Sequence, residues 1–277
     1  MRLSGILTAA ALLSGFAMAT PATAAIYDYN FGTSTGTYST ASTATVLTDP
    51  VPPQGSARVR IGTGGGSFTF VNPGSSLGSG SELQGVAPTG TSVNKFSVYA
   101  YPANKSFHTR FNLRLQGGSS GTWSFFQGEG PTYSDNTTFA GAQVFTGIQW
   151  VFGAGGAVTT SIRVGGGWVT TGLPATPFAQ DTNYYVEIYG NNNTTAQTYR
   201  RSGTTYTVDP NQWDLWINGV RTAGLGKAQL PNDANISSFM FYGASSTGNV
   251  ATLIVDDFSY GGDLATVPVS VSAFSID

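Results

Sequence analysis

The sequence contains no cysteine, a single histidine and only three glutamates among its 277 residues. Without thiols the chain cannot form disulfides, and thiolate metal sites and cysteine nucleophiles are excluded. Zinc and copper are not expected, because both metals favour histidine and cysteine ligands. Any Ser-His-Asp chemistry would have to use His108, and catalysis by paired carboxylates has few candidate residues.

Charged side chains are also scarce, at 9% of the chain, and their formal net charge is -2. A chain so close to neutral predicts no general affinity for nucleic acid or for an anionic membrane surface. Beyond the N-terminal segment, no apolar run is long enough for a transmembrane helix.

The first 24 residues have the composition of a secretory signal peptide. Arg2 supplies a positive start, residues 6–18 form a short apolar core, and Ala22-Thr23-Ala24 matches a small-residue cleavage site. We therefore predict that residues 1–24 are removed and that the mature chain is secreted by a bacterium, without a membrane span. An uncleaved N-terminal anchor is the alternative.

The sequence is rich in glycine (37), phenylalanine (17) and tyrosine (13), a composition that disfavours helices and favours short strands between turns. We predict one all-β domain of two antiparallel sheets over residues 25–262, followed by a tail or extra strand at 263–277. A long loop is expected at 32–56 and a tight turn at Asn218-Gly219. Strands are predicted at 26–31, 57–61, 67–71, 96–101, 107–116, 122–126, 147–152, 158–164, 168–171, 184–189, 204–208, 212–218, 238–242 and 251–260.

The most informative strand is Phe107 to Gln116, in which apolar and polar side chains alternate without a break. Alternation with period two is that of a β-strand, so one face is buried and the other is polar. The polar face holds the only histidine of the chain, two arginines and an amide: His108, Arg110, Asn112 and Arg114.

Four further strands alternate in the same way. Their non-core faces carry Tyr185, Glu187 and Tyr189 in one strand, Asp214 and Trp216 in a second, Gln149 in a third and Arg163 in a fourth. Aromatic rings suit the apolar faces of sugars, and planar polar groups suit their hydroxyls and carboxylates, so these faces are candidate glycan-binding surfaces. The alternative is that they are simply the wet outer faces of a sandwich.

Three segments near the end of the chain resemble the closing strands of concanavalin A-like jelly rolls: Trp213 to Gly219, Ile236 to Phe241 and Leu253 to Phe258. That superfamily includes laminin-G-like and legume-lectin-like domains and many secreted glycanases and polysaccharide lyases. The resemblance implies a two-sheet antiparallel jelly-roll sandwich whose concave face binds or processes glycans. It indicates a secreted carbohydrate-binding or adhesive protein whose partner is a polysaccharide or a cell-surface glycan.

Similarity to carbohydrate-binding sandwiches also implies a structural calcium ion where the two chain ends pair. Asp28, Asp256 and Asp257 are the candidate ligands, because Ca²⁺ prefers hard oxygen donors. The alternative is that one aspartate faces solvent and another caps a turn.

Two enzymatic alternatives and one structural alternative stay open. In a polysaccharide lyase acting on an acidic glycan, the catalytic residues would be His108, Arg110, Arg114, Tyr185 and Tyr189, although the alginate-lyase-type motifs are absent. A glycoside hydrolase needs a carboxylate pair, and the E-x-D-x-E motif is absent. A filament subunit that self-associates through the 263–277 tail is the structural alternative.

Overall fold

The computed structural model describes residues 25–41, 44–74, 76–78, 80–130, 139–175, 177–262 and 264. The signal peptide predicted at 1–24 lies outside the described residues, as does the predicted 263–277 tail apart from Leu264. Self-association through that tail therefore stays a prediction. Within the described ranges, no helix is both long and apolar enough to cross a membrane.

Nineteen strands and two short 3-10 helices make up the described structure. The first ten strands are β1 (Ile26–Tyr29), β2 (Gly36–Tyr38), β3 (Ala44–Val46), β4 (Ser56–Arg60), β5 (Ser67–Val71), β6 (Glu82–Val86), β7 (Val93–Tyr99), β8 (Ser106–Gln116), β9 (Thr122–Gly128) and β10 (Val144–Phe152). The others are β11 (Val158–Val164), β12 (Gly167–Val169), β13 (Asn183–Asn191), β14 (Gln197–Arg201), β15 (Thr204–Val208), β16 (Gln212–Ile217), β17 (Val220–Gly226), β18 (Ser238–Ala244) and β19 (Thr252–Gly261). The 3-10 helices are Gly141–Gln143 and Ala154–Gly156.

These strands form two large sheets and one separate hairpin. Sheet A has the order β17-β16-β13-β8-β19-β6-β5-β2, with β1 also paired to β19, and sheet B has the order β12-β11-β10-β9-β18-β7-β4-β3. The hairpin consists of β14 and β15. Neighbouring strands pair antiparallel, as in β8 with β13 and β9 with β10. The predicted all-β, two-sheet antiparallel sandwich is thereby confirmed.

The main core lies between the two sheets and is built largely from aromatic rings. Phe111 of sheet A contacts Phe125 and Phe241 of sheet B, with ring centroids 5.2 and 5.3 Å apart. Trp123 is fully buried, and its indole N–H donates to the carbonyl of Ala251 at 3.1 Å. Because each buried ring contributes roughly 1.5–3 kcal/mol, a core of this kind needs no disulfides.

Five strands were not predicted from the sequence. The expected 32–56 loop contains β2 and β3, each of three residues at the edge of its sheet, and β6, β14 and β17 were also missed. Gly85 weakens the pattern of β6, yet it is required there because an added Cβ would lie 2.6 Å from the ring of Phe68. The turn at Asn218-Gly219 is confirmed, with positive φ at both residues (47° and 82°) joining β16 to β17.

Candidate functional site

The side chains predicted to form a site lie on opposite outer faces of the sandwich. The outer face of sheet B holds Gln149 and Arg163, which lie on β10 and β11. The core separates these two side chains from the others, so the predicted residues cannot form one site. The predicted residues of sheet A lie on β1, β8, β13, β16 and β19, and they are Asp28, His108, Arg110, Asn112, Arg114, Tyr185, Glu187, Tyr189, Asp214, Trp216, Asp256 and Asp257.

The hairpin β14–β15 covers part of the outer face of sheet A. Tyr199 of the hairpin stacks on Tyr189 with ring centroids 3.8 Å apart, and Tyr206 meets the edge of Trp216 at 5.0 Å. Tyr189, Tyr199 and Trp216 are buried together with Leu264 in a second, smaller core. The polar-looking faces of β13 and β16 are therefore interior surfaces at this position.

One arginine from the hairpin and one from the edge strand β17 neutralise the two carboxylates beneath the hairpin. Glu187 accepts hydrogen bonds from Arg201 at 2.8 Å and from the hydroxyl of Tyr189 at 3.0 Å. Asp214 is 1% exposed and accepts from Arg221 at 2.6 Å. A buried carboxylate is stable only when it is paired in this way.

The predicted glycan contacts Glu187, Asp214 and Trp216 lie beneath the hairpin in this arrangement, and their role in binding stays a prediction. Their side chains are buried at 5%, 1% and 4% exposure. The Trp216 indole N–H donates to the Tyr199 hydroxyl at 2.8 Å, and the guanidinium of Arg201 lies 4.2 Å from the centre of the Trp216 ring. These residues hold the hairpin on the sheet, because a polar strand face can be covered by another part of the chain.

His108 is also buried, at 0% exposure, and it stacks on Tyr189 with ring centroids 4.7 Å apart. Burial, and to a smaller extent the nearby charge of Arg110, lower the pKa of His108 to about 3. Neither ring nitrogen has a hydrogen-bond partner among the described residues. General acid-base catalysis needs a group that can exchange a proton with the substrate, and His108 is neutral and covered in this arrangement, so its catalytic role stays a prediction.

Among the remaining residues of the predicted lyase set, Arg110, Arg114 and Tyr185 are half-buried and Tyr189 is buried. Arg110 pairs with Asp28 at 3.2 Å, and Arg114 pairs with Asp181 at the same distance. Burial raises the pKa of Tyr185, and burial followed by the charge of Glu187 raises that of Tyr189, so both phenols stay protonated. These groups have no accessible histidine beside them, because His108 is the only histidine of the chain and it is covered.

An acidic pocket of 220 Å³ lies beside β19 and is lined by Asp256 and Asp257. Asp256 is 3% exposed, and its Oδ1 has no hydrogen-bond partner among the described residues. Burial and the neighbouring charge of Asp257 raise the pKa of Asp256 to about 7. The other residues lining the pocket are Asn30, Phe31, Gly32, Gly78, Gly80 and Ser81.

Asp28, the third predicted metal ligand, does not line this pocket. Its carboxylate is 72% exposed and pairs with Arg110. In the part of the chain that the structure describes, no three histidine, cysteine or carboxylate side chains are arranged around a common metal position. A cation in the pocket would therefore depend on two carboxylates together with neutral oxygen donors.

A groove of 350 Å³ crosses the outer face of sheet B and contains both Gln149 and Arg163. Its volume is within the range of small-ligand sites. It runs over the strands β12, β11, β10, β9 and β18, which are neighbours in that order. The groove is lined by Thr122, Ser124, Phe126, Phe139, Val144, Gln149, Arg163, Trp168, Tyr242, Ala244 and Ser245.

Three partly exposed aromatic residues form a continuous strip in this groove. The rings of Trp168 and Phe126 lie 5.7 Å apart, and the ring of Tyr242 meets that of Phe126 at 6.3 Å. Trp168 reaches Phe126 across the bare backbone of Gly147, where an added Cβ would lie 3.4 Å from the Trp168 ring and 2.8 Å from the Cβ of Arg163. A glycine at this position therefore makes room for the strip.

These three aromatic residues were missed by the sequence reasoning, although a signal was present. Phe125-Phe126 and Phe241-Tyr242 are adjacent aromatic pairs in strands. Successive side chains of a strand point to opposite faces, so one ring of each pair must lie outside the core. Two adjacent aromatic residues in a core strand therefore indicate that one of the two rings lies on the outer face.

No protein-family model matches the chain, and no curated protein matches it in sequence. Several solved structures match the chain at low sequence identity. The potassium-bound carbohydrate recognition domain of Emp46p matches with a TM-score of 0.39 and 10% identity, covering 65% of this chain and 82% of that one. A conserved carbohydrate esterase from a Shiga toxin-encoding bacteriophage matches with a TM-score of 0.47 and 12% identity, covering 82% of this chain and 100% of that one.

The cellulose-induced protein Cip1 matches with a TM-score of 0.46 and 15% identity, covering 73% of this chain and 87% of that one. The two-sheet antiparallel sandwich that the closing strands led us to expect is present in the structure. Structural similarity this distant does not identify a ligand of this protein.

Proposed function

We propose that this protein is a secreted glycan-binding protein that holds its ligand in the groove of sheet B, on a polysaccharide or a cell surface. The observation that carries the proposal is the strip of Phe126, Trp168 and Tyr242 beside Gln149 and Arg163. Flat aromatic rings beside a few planar polar groups are the chemistry that sugar recognition requires.

The rigidity of the groove supports this proposal. Its lining side chains other than Phe139 and Ser245 lie on paired strands, and Arg163 and Trp168 are direct cross-strand partners. Side chains held on regular elements lose little conformational freedom when a ligand binds. Binding outside the cell further depends on the predicted signal peptide, which stays a prediction.

The same groove favours binding over catalysis. None of the described residues that line it is a carboxylate or a histidine. Hydrolysis of a glycosidic bond needs two carboxylates, and β-elimination needs a base that can reach the substrate. The lyase alternative would have to use sheet A, where His108 is buried.

The test is isothermal titration of the wild type, W168A and Y38A with the best ligands from a broad glycan array. Trp168→Ala removes a ring from the groove, whereas Tyr38→Ala removes a half-buried ring at the edge of sheet A. We expect W168A to lose about ten-fold or more in affinity, as aromatic anchors of binding sites usually do, and Y38A to lose none. The proposal fails if the array shows no binding, or if both variants lose affinity equally.

We also propose that the Asp256 pocket holds a structural Ca²⁺ ion. Support comes from the buried Asp256 Oδ1 that lacks a partner and from the second carboxylate of Asp257 beside it. Ca²⁺ should raise the melting temperature of the wild type and of the control D28N, but not that of D256N. An equal response of D256N and the wild type would contradict this site.

A further inference from the structure

Building on the proposed glycan groove, we propose that it selects sugars that carry an oxyanion, a carboxylate or a sulfate, and that Arg163 is the residue that binds this anion. The first observation is the charge of the two sheets. The strands of sheet B contain four basic residues and no acidic one. The basic residues are Arg58, Arg60, Lys95 and Arg163.

Sheet A has the opposite balance. Its strands contain six acidic residues against the three basic residues Arg110, Arg114 and Arg221. In a chain with a net charge of -2, the strands of sheet B thus carry basic residues without acidic ones, and Arg163 is the one among them that lines the groove.

Among the described residues that line the groove, Arg163 is the one cation. Five other basic side chains form ion pairs with carboxylates at 3.2 Å or less: Lys105, Arg110, Arg114, Arg201 and Arg221. Arg163 pairs with no described carboxylate, and its buried Nε has no hydrogen-bond partner among the described residues. A half-buried guanidinium without an acceptor is an incomplete arrangement that an anionic ligand would complete.

The surroundings of Arg163 orient it for such a ligand. Its guanidinium lies 5.7 Å from the centre of the Trp168 ring, which supports the cation without accepting its N–H groups. Gln149, one strand away, adds an amide for neighbouring hydroxyls. A sugar stacked on the aromatic strip would thus bring its carboxylate or sulfate to the guanidinium, whose planar fork matches an oxyanion with two contacts.

The test compares anionic and neutral forms of the same polymers. The ligands are polygalacturonate and its carboxyl-reduced form, and dextran sulfate and dextran. The variants are Arg163→Gln, Arg163→Lys and the control Arg200→Gln, which removes an exposed arginine that has no ion pair among the described residues. W168A is measured alongside them, because it reports whether any bound glycan occupies the groove.

We expect R163Q to bind at least one anionic polymer about ten-fold more weakly than the wild type, with the neutral form and R200Q unchanged. R163K should recover part of this loss, because lysine keeps the charge but loses the planar fork. If R163Q weakens binding to polygalacturonate alone, the recognised group is a carboxylate. If it weakens binding to dextran sulfate alone, the recognised group is a sulfate.

Three outcomes would overturn the inference. Equal weakening by R163Q and R200Q would mean that only diffuse charge matters. If a neutral glycan bound best, and its affinity fell in W168A but not in R163Q, the groove would still be a glycan site but would not select an anionic sugar. Absence of binding to any glycan would instead remove the proposed function itself, so the two failures are distinguishable.

Discussion

The outer faces of the two sheets carry similar kinds of side chains but differ in how far other parts of the chain cover them. On sheet A, the aromatic and charged residues of β13 and β16 are covered by the hairpin β14–β15 and neutralise one another. On sheet B, Phe126 and Tyr242 pack against a small buried cluster that includes Phe139 and Met240, yet the aromatic strip remains partly exposed and Arg163 remains without a counter-ion among the described residues. The difference teaches that a polar and aromatic strand face becomes a second core where the chain covers it and a binding surface where the chain leaves it open.

The largest expected effect tests the covered face. Tyr199→Ala removes the ring between Tyr189 and Tyr206 and the hydroxyl that donates to Asp214 at 2.7 Å. We expect it to lower the free energy of unfolding by about 3–5 kcal/mol, as for other large-to-small changes in a core. Urea denaturation measures this loss.

The matched variant on the open face is Tyr242→Ala, which should cost only about 1 kcal/mol because that ring is half-buried at the groove. Equal losses for Y199A and Y242A would show that the hairpin does not create a second core.

The second prediction concerns a glycine that lies beneath the aromatic strip of sheet B. Gly147→Val would place side-chain atoms where the Cβ alone already lies 2.8 Å from that of Arg163, and it should displace Trp168. We expect a loss of about 1–3 kcal/mol in the free energy of unfolding and a weaker affinity for glycans.

Gly167→Val in β12 is the control for this substitution, because an added Cβ there meets no atom within 4 Å. Thermal melts and glycan titration should separate the two variants. If G147V bound its ligand as well as G167V, the aromatic strip would not be the ligand surface.

The third prediction concerns the pH dependence of the covered face. His108 is neutral in the folded state because its pKa is lowered to about 3, whereas in the unfolded chain it gains a proton below its ordinary pKa of about 6.5. The unfolded state therefore binds more protons in this window, and stability is lost as the pH falls from about 6.5 toward 3.

His108→Phe should remove this contribution, which has a slope of up to about 1.4 kcal/mol per pH unit, while retaining the stack on Tyr189. Denaturation curves of both proteins between pH 4 and 7, in steps of about half a unit, would measure the difference in slope. Parallel curves would show that His108 is solvated in the folded protein.

The smallest expected effect compares an unpaired arginine with a paired one. Arg163→Gln should change the free energy of unfolding by no more than about 0.5 kcal/mol, since Arg163 pairs with no carboxylate in the part of the chain that the structure describes. Arg201→Gln should cost about 1–3 kcal/mol, because it leaves the buried Glu187 without its cation. A larger loss in R163Q than in R201Q would assign Arg163 a structural role.

Much of the strand architecture could be predicted from the sequence because side-chain alternation is a local property. The apolar residues of Phe107 to Gln116 face the core, as the alternation indicates, and Trp213 and Leu215 are buried there as well. The missed strands β2 and β3 are three residues long, and pairing with their neighbours rather than their own composition stabilises them.

The candidate site could be predicted only in part. Gln149 and Arg163 were correctly assigned to outward strand faces, but nothing in their own segments shows that Trp168 and Tyr242 lie beside them. Those contacts depend on the order β12-β11-β10-β9-β18, in which β18 joins the sheet from far along the chain. Strand order is a long-range property that local patterns do not contain.

The sequence by itself determined the class of the fold, the two faces of each long strand and the shortage of catalytic groups, because composition and period-two alternation are properties of the covalent chain. Only the tertiary structure decided which outer face is open. The hairpin of residues 197–208 folds onto sheet A through contacts such as Tyr199 with Tyr189 and Arg201 with Glu187. Burial is set by what packs against a surface, so the same alternation produced a buried His108 on one sheet and an accessible Arg163 on the other.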